Sequence, residues 1–187
     1  MNLFYKICKY DYNDPNYVNE WMEIDEYVVQ NGSTDFDNYL FWEEQMLNLY
    51  SGFLKFFGDN VACKVYFYPE DLKLSDYSFI GLKYSKSDLD RIVKINFDYL
   101  SRDEKEFLIR CHIRGHCTIH LFTTRAHLLP MGDYFYAQLR FPEEWDIWDI
   151  IPVDTKLIVY IDFDHDDETL NEIPVNAGHV VTRNLHK

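Results

Sequence analysis

Hydrophobic and polar positions alternate in some stretches of the chain and follow a helical period in others, and the two patterns mark most of its elements. Residues 3–10 alternate loosely and are rich in aromatic side chains, which predicts a first strand. Asp14 followed by Pro15 predicts a helix start, with a carboxylate at the N-cap and a proline at the first helical position. Tyr17, Trp21, Ile24 and Val28 then recur at spacings of four, three and four, one buried stripe ending at Asn31-Gly32. A second helix is predicted from Ser33-Thr34-Asp35, with Tyr39, Trp42, Met46, Leu49, Phe53 and Phe56 on one stripe. Phe36, Leu40, Leu47 and Leu54 lie off that stripe, so this helix is expected to be central and mostly buried, closing at Gly58.

Further on, residues 61–68 and 78–84 read as strands around a Pro69-Glu70-Asp71 turn. Ser87-Asp88-Leu89-Asp90 reads as a capping box opening a short helix to about residue 95. Ser101-Arg102-Asp103-Glu104 is a stronger one; Glu104, Phe107, Leu108 and Cys111 share a face and Gly115 is the stop. Strands are predicted over 117–124, 134–141 and 156–163, a short helix over 142–150, and an irregular tail over 164–187. There is no β-α-β repeat. The expected fold is therefore α+β, one domain with a mostly antiparallel sheet and two N-terminal helices packed on it. At 187 residues the chain can bury a core without covalent staples.

Composition adds a constraint on partners. The chain carries 32 Asp and Glu against 18 Lys and Arg, a formal charge of −14. No apolar run approaches the roughly 18 residues a bilayer span needs, and a pI near 4.7 speaks against direct nucleic-acid binding through phosphates. The four cysteines show no CxxC spacing and the N-terminus lacks the pattern of a signal peptide, so reduced thiols and a cytoplasmic location are expected. The charge is also segregated. No basic residue occurs between Lys9 and Lys55, and residues 10–54 carry −10; residues 60–140 carry +2, and residues 141–187 carry −8. Such a layout bears on association more than on fold.

Motifs for chemistry are sparse. There is no GxSxG elbow, no GxxxxGK[ST] and no GxGxxG, so neither nucleophilic catalysis nor nucleotide binding by those routes is expected. His112, His116 and His120, four residues apart and flanked by Cys111 and Cys117, could ligate zinc from one helix face. Gly115 interrupts them where the capped helix should stop, which favours a histidine at a helix end followed by ordinary strand histidines. The acids Asp162, Asp164, Asp166, Asp167 and Glu168 follow an apolar strand, where magnesium-dependent chemistry often sits, but they lack an EF-hand frame and read as a solvated turn. No metal and no cofactor is expected on this reading. The alternative is a metal-dependent hydrolase combining the histidine cluster with those carboxylates.

The remaining candidate is an anionic docking surface. Burying the first helical stripe pushes Glu20, Glu23, Asp25, Glu26 and Tyr27 outward, and Asp35, Asp37, Glu43 and Glu44 continue the acidic run. Like charges three and four apart cost a helix roughly 0.2–0.5 kcal/mol per pair, and no lysine in that stretch offsets them. Exposed carboxylates beside aromatics steer a basic partner in and then anchor it. The expectation is a non-enzymatic acidic inhibitor of the immunity type, set against a basic toxin domain such as a nuclease. A structural or adaptor role is the further alternative.

Overall fold

The computed structural model describes residues 2–9, 24, 36–69, 74–130, 136–161 and 180–182. The strands are β1 (Asn2–Cys8), β2 (Ala62–Tyr66), β3 (Thr118–Phe122), β4 (His127–Pro130), β5 (Tyr136–Pro142), β6 (Ile158–Ile161) and β7 (Val180–Thr182). They form one sheet in the order β6-β1-β5-β4-β3-β2-β7, with antiparallel pairing throughout. Three helices, α1 (Asp37–Phe57), α2 (Lys86–Ile92) and α3 (Arg102–Ile113), complete the α+β fold.

The sheet has two chemically different faces. Tyr5, Ile7, Cys63, Val65, Ile119, Leu121, Leu128, Ala137, Leu139 and Phe141 pack in one core with Met46, Leu49, Tyr50 and Phe53 of α1 and Phe107, Leu108 and Cys111 of α3. At one end of this core Phe57, Phe141 and Trp145 make edge and tilted ring contacts. Gly52 lets α1 approach the 147–151 segment: a Cβ there would lie 2.0 Å from the Ile150 carbonyl oxygen. No described helix is long and apolar enough to cross a membrane.

Helix α1 is the expected central helix. It opens at Asp37 without a side-chain cap, has Lys55 in its last turn, and ends at Gly58, whose φ of 53° suits glycine. The other expected N-terminal helix lies outside the described residues, except that Ile24 is buried against Phe36 and Tyr39. Helix α3 carries the expected Ser101–Glu104 capping box, with Ser101 N–H donating to Glu104 Oε2 at 2.9 Å, and Gly115 follows at φ 81°. The other capping box sits two residues earlier than its pattern implies, between Ser85 and Asp88.

Three expectations need correction. Residues 78–84 form turns, not a strand, because their backbone acceptors are engaged elsewhere: Arg114 donates to the Ser78 and Ile80 carbonyls, and His116 meets Ser78 as well. Residues 142–150 contain a single 3-10 turn, Ile147–Asp149, with Asp146 accepting from the Trp148 N–H. The unanticipated strand β4 arises because Thr123 Oγ1 accepts from the Arg125 and Ala126 N–H groups and folds the chain into a tight hairpin with β3. The tail also contributes β7, paired with β2, and the rest of 164–187 lies outside the described residues.

Candidate functional site

Helix α1 points Glu43 inward, and α3 with the residue after it supplies the matching cations. Arg114 Nε donates to Glu43 Oε2 at 2.6 Å and its Nη2 to Oε1 at 3.1 Å, a bidentate fork with both side chains fully buried. Arg110 Nη1 donates to Glu43 Oε1 at 2.7 Å, and its Nη2 to Glu44 at 2.6 Å and Glu106 at 3.0 Å. Arg114 Nη1 also donates to the Ser78 and Ile80 carbonyls, so both buried charges are paired and further hydrogen-bonded, the condition under which buried charges persist. The cluster borders a cleft of about 420 Å³ walled by Leu40, Leu82, Tyr84 and Phe107, with the Lys83–Asp103 ion pair at its rim. Lys83 itself holds the Asp103 carboxyl below the usual carboxylate range.

This network corrects the expected acidic surface. Glu43 is wholly enclosed and cannot touch a partner, and Glu44 is half-exposed but committed to Arg110. Asp37 is exposed in the first turn of α1. Glu20, Glu23, Asp25, Glu26, Tyr27 and Asp35 lie outside the described residues.

The three histidines of the zinc alternative occupy three separate environments. His112 is buried in the last turn of α3: its Nε2 meets the Tyr50 hydroxyl at 2.7 Å and its Nδ1 lies 3.1 Å from the Cys117 carbonyl oxygen. Burial holds its pKa down at about 4, against an ordinary 6.5, so the imidazole is neutral, one nitrogen donating and the other accepting. His116 lies past Gly115 with Nε2 2.9 Å from the Ser78 carbonyl oxygen. His120 stands on β3, on the sheet face away from α1 and α3. Among the described residues no three His, Cys, Asp or Glu side chains converge to hold a metal ion. The proposed carboxylate partners Asp162, Asp164, Asp166, Asp167 and Glu168 lie outside them.

The face bearing His120 holds a grouping that the sequence pattern left unseen. Strand pairing puts Lys64 beside His120, His127 beside Arg140 and Phe122 beside His127, so all these side chains share one face, as does Lys6 opposite Gln138. The His120 and His127 rings are 6.0 Å apart, and the Tyr66 ring is 5.0 Å from His120. Lys64 Nζ lies 5.6 Å over the Phe122 ring. None of the seven strands contains an Asp or Glu, so every cation and histidine of the strands lies on this one face with no strand carboxylate beside it. Tyr66 Oη, His120 Nδ1 and His127 Nε2 are buried atoms without a hydrogen-bond partner. Burial and the neighbouring cations push both imidazoles down to about 4, so both are neutral at pH 7. The available signal was the period-two placement of Lys64, Tyr66, His120 and Phe122, but without β4 the pair His127 and Arg140 could not be joined to them.

No protein-family model, curated protein or solved structure matches this chain.

Proposed function

We propose that the protein is a small acidic inhibitor of the immunity type, which occludes a basic partner such as a cationic nuclease toxin domain through complementary charge. The observation that carries this reading is how the charge divides along the chain. The described residues hold 16 acidic and 15 basic side chains, close to neutral, and their ion pairs engage Arg91, Arg110, Arg114, Arg125 and Lys83 internally. The remaining 16 acids have only three bases in their segments, so nearly the whole −14 belongs to residues 10–35, 70–73, 131–135 and 162–187. A net charge of −14 accelerates capture of a cation, with association rates up to roughly 10⁸–10⁹ M⁻¹s⁻¹ at low salt. Glu20, Glu23, Asp25, Glu26, Tyr27, Asp35 and the exposed Asp37 make up the docking set on this reading; Glu43 is removed from it and Glu44 is secondary.

The test is binding to the purified basic protein encoded beside this one. Affinity should fall steeply with added salt, and reversing Glu20, Glu23 and Glu26 to Lys should cut the association rate about tenfold or more while leaving the melting temperature in place. Salt-insensitive binding, or the same rate after reversal, defeats the reading.

A further inference from the structure

We propose that the cleft between α1, the 81–84 turn and α3 receives an arginine side chain of the basic partner, its stem against Leu40, Leu82, Tyr84 and Phe107 and its guanidinium between Glu44 and Glu106. The identity of the protein that presents the arginine rests on the inhibitor reading; the chemistry of the cleft does not. Its volume of about 420 Å³ lies within the range of small-ligand sites. Leu40, Leu82 and Tyr84 are only half-buried, so an occupant that covers them gains from leaving water. The mouth, however, is charged, and a wholly apolar occupant would strip water from carboxylates without replacing it. A long apolar stem that ends in a cation meets both demands.

The charges around the cleft select the sign. Glu43, Glu44, Asp103 and Glu106 border it, against Lys83, Arg110 and Arg114, so its carboxylates outnumber its cations by one. Glu43 and Arg114 close on each other in the interior, and Lys83 pairs with Asp103 at the rim. Arg110 is left to answer Glu44 and Glu106 together, besides its bond to Glu43. The surplus negative charge therefore falls on two carboxylates that are each about half-exposed. Both bind Arg110 through one oxygen only, Glu44 through Oε2 and Glu106 through Oε1. Glu44 Oε1 and Glu106 Oε2 meet no donor among the described residues and are open to one from outside.

Arginine fits this arrangement better than lysine. Its planar fork can donate to two carboxylates at once and lie flat on an aromatic wall, whereas an ammonium is a compact, strongly hydrated point. The wall is of that kind: the Tyr84 ring packs 5.1 Å from Phe107, and Lys83 Nζ already stands 5.6 Å over the Tyr84 ring.

The first experiment uses the full chain without the partner. NMR signals of the Arg110 Nε–H and the 82–84 amides are followed during titration with N-acetyl-arginine N-methylamide, with N-acetyl-norleucine N-methylamide as the stem without charge and methylguanidinium as the charge without stem. Expected are saturable shifts with the capped arginine at a Kd on the order of 1 mM, and binding about tenfold weaker for each fragment. Ile150, which meets α1 at Gly52, more than two turns beyond Glu44, should stay put. Glu106→Gln and, with every charge kept, Leu82→Ala should each weaken the capped arginine about threefold. No saturable shift overturns the proposal, as does equal binding by the norleucine compound or by methylguanidinium. The second experiment reads dissociation from the basic protein encoded beside this one, which Glu44→Gln with Glu106→Gln should speed about tenfold, whereas reversing Glu20, Glu23 and Glu26 acts on association. Unchanged dissociation overturns the assignment to a partner's arginine. A neighbour that does not bind at all, beside a chain that saturates with capped arginine, defeats the inhibitor reading and upholds the guanidinium site.

Discussion

Glu43 sits where two arginines from a distant part of the chain converge, 67 and 71 residues later in sequence. Neutralising it strands Arg114, itself fully buried, without its counter-charge. Glu43→Gln should therefore destabilise the fold by about 3–5 kcal/mol, read as a lowered urea midpoint at unchanged slope; a loss below about 1 kcal/mol would show that solvent reaches the cluster. His112 makes a different kind of test. Its pKa is about 4 in the folded chain against 6.5 when unfolded, so between those values the unfolded state binds more protons. The stabilisation is complete above 6.5 and is lost as pH falls toward 4, up to about 3 kcal/mol for this one group. His112→Phe should lower stability at neutral pH by about 1–3 kcal/mol, because the Tyr50 hydroxyl loses its partner, yet flatten the decline toward acid. An unchanged acid slope in that variant would assign the decline to His120 and His127, which are depressed in the same direction.

Helix α3 is legible in the sequence because its start and stop are local: Ser101 and Glu104 satisfy one another's backbone groups, and Gly115 takes the positive φ beyond the end. Ser101→Ala should cost about 1 kcal/mol in thermal or urea unfolding. The 78–84 segment was illegible for the opposite reason. Its alternation suits a strand, but the groups that claim its carbonyls come from Arg114 and His116, and nothing near residue 80 announces them. The candidate site divides along the same line. The acidic run can be counted, but which carboxylates arginines consume cannot, so the pattern alone puts Glu43 on the outside. Strand β4 is four residues long and gives too little period to register, and with it went the partnership of His127 with its neighbours. Between elements, Gly52 is the tightest constraint. Gly52→Ala improves helix propensity yet drives a methyl into the Ile150 carbonyl, so a net loss of about 1–3 kcal/mol is expected, with the 147–151 segment displaced.

Taken whole, the chain divides its charge unevenly along its length. The described residues taken together are close to charge balance, the strands carry their cations on a single face, and the excess of acids falls within residues 10–35, 70–73, 131–135 and 162–187. Added salt should consequently change affinity for a cationic protein far more than it changes the unfolding midpoint of the isolated chain, since the Glu43–Arg114 pair is shielded from ions while the surface field is not. The four cysteines also acquire a use. Cys8, Cys63, Cys111 and Cys117 are buried on β1, on β2, near the end of α3 and just ahead of β3, and burial pushes the Cys111 and Cys117 thiols up, away from the reactive thiolate. An alkylating reagent can reach each only when its surroundings open, so per-site labelling followed by mass spectrometry would time the breathing of each part of the framework in the wild-type sequence, with no probe introduced.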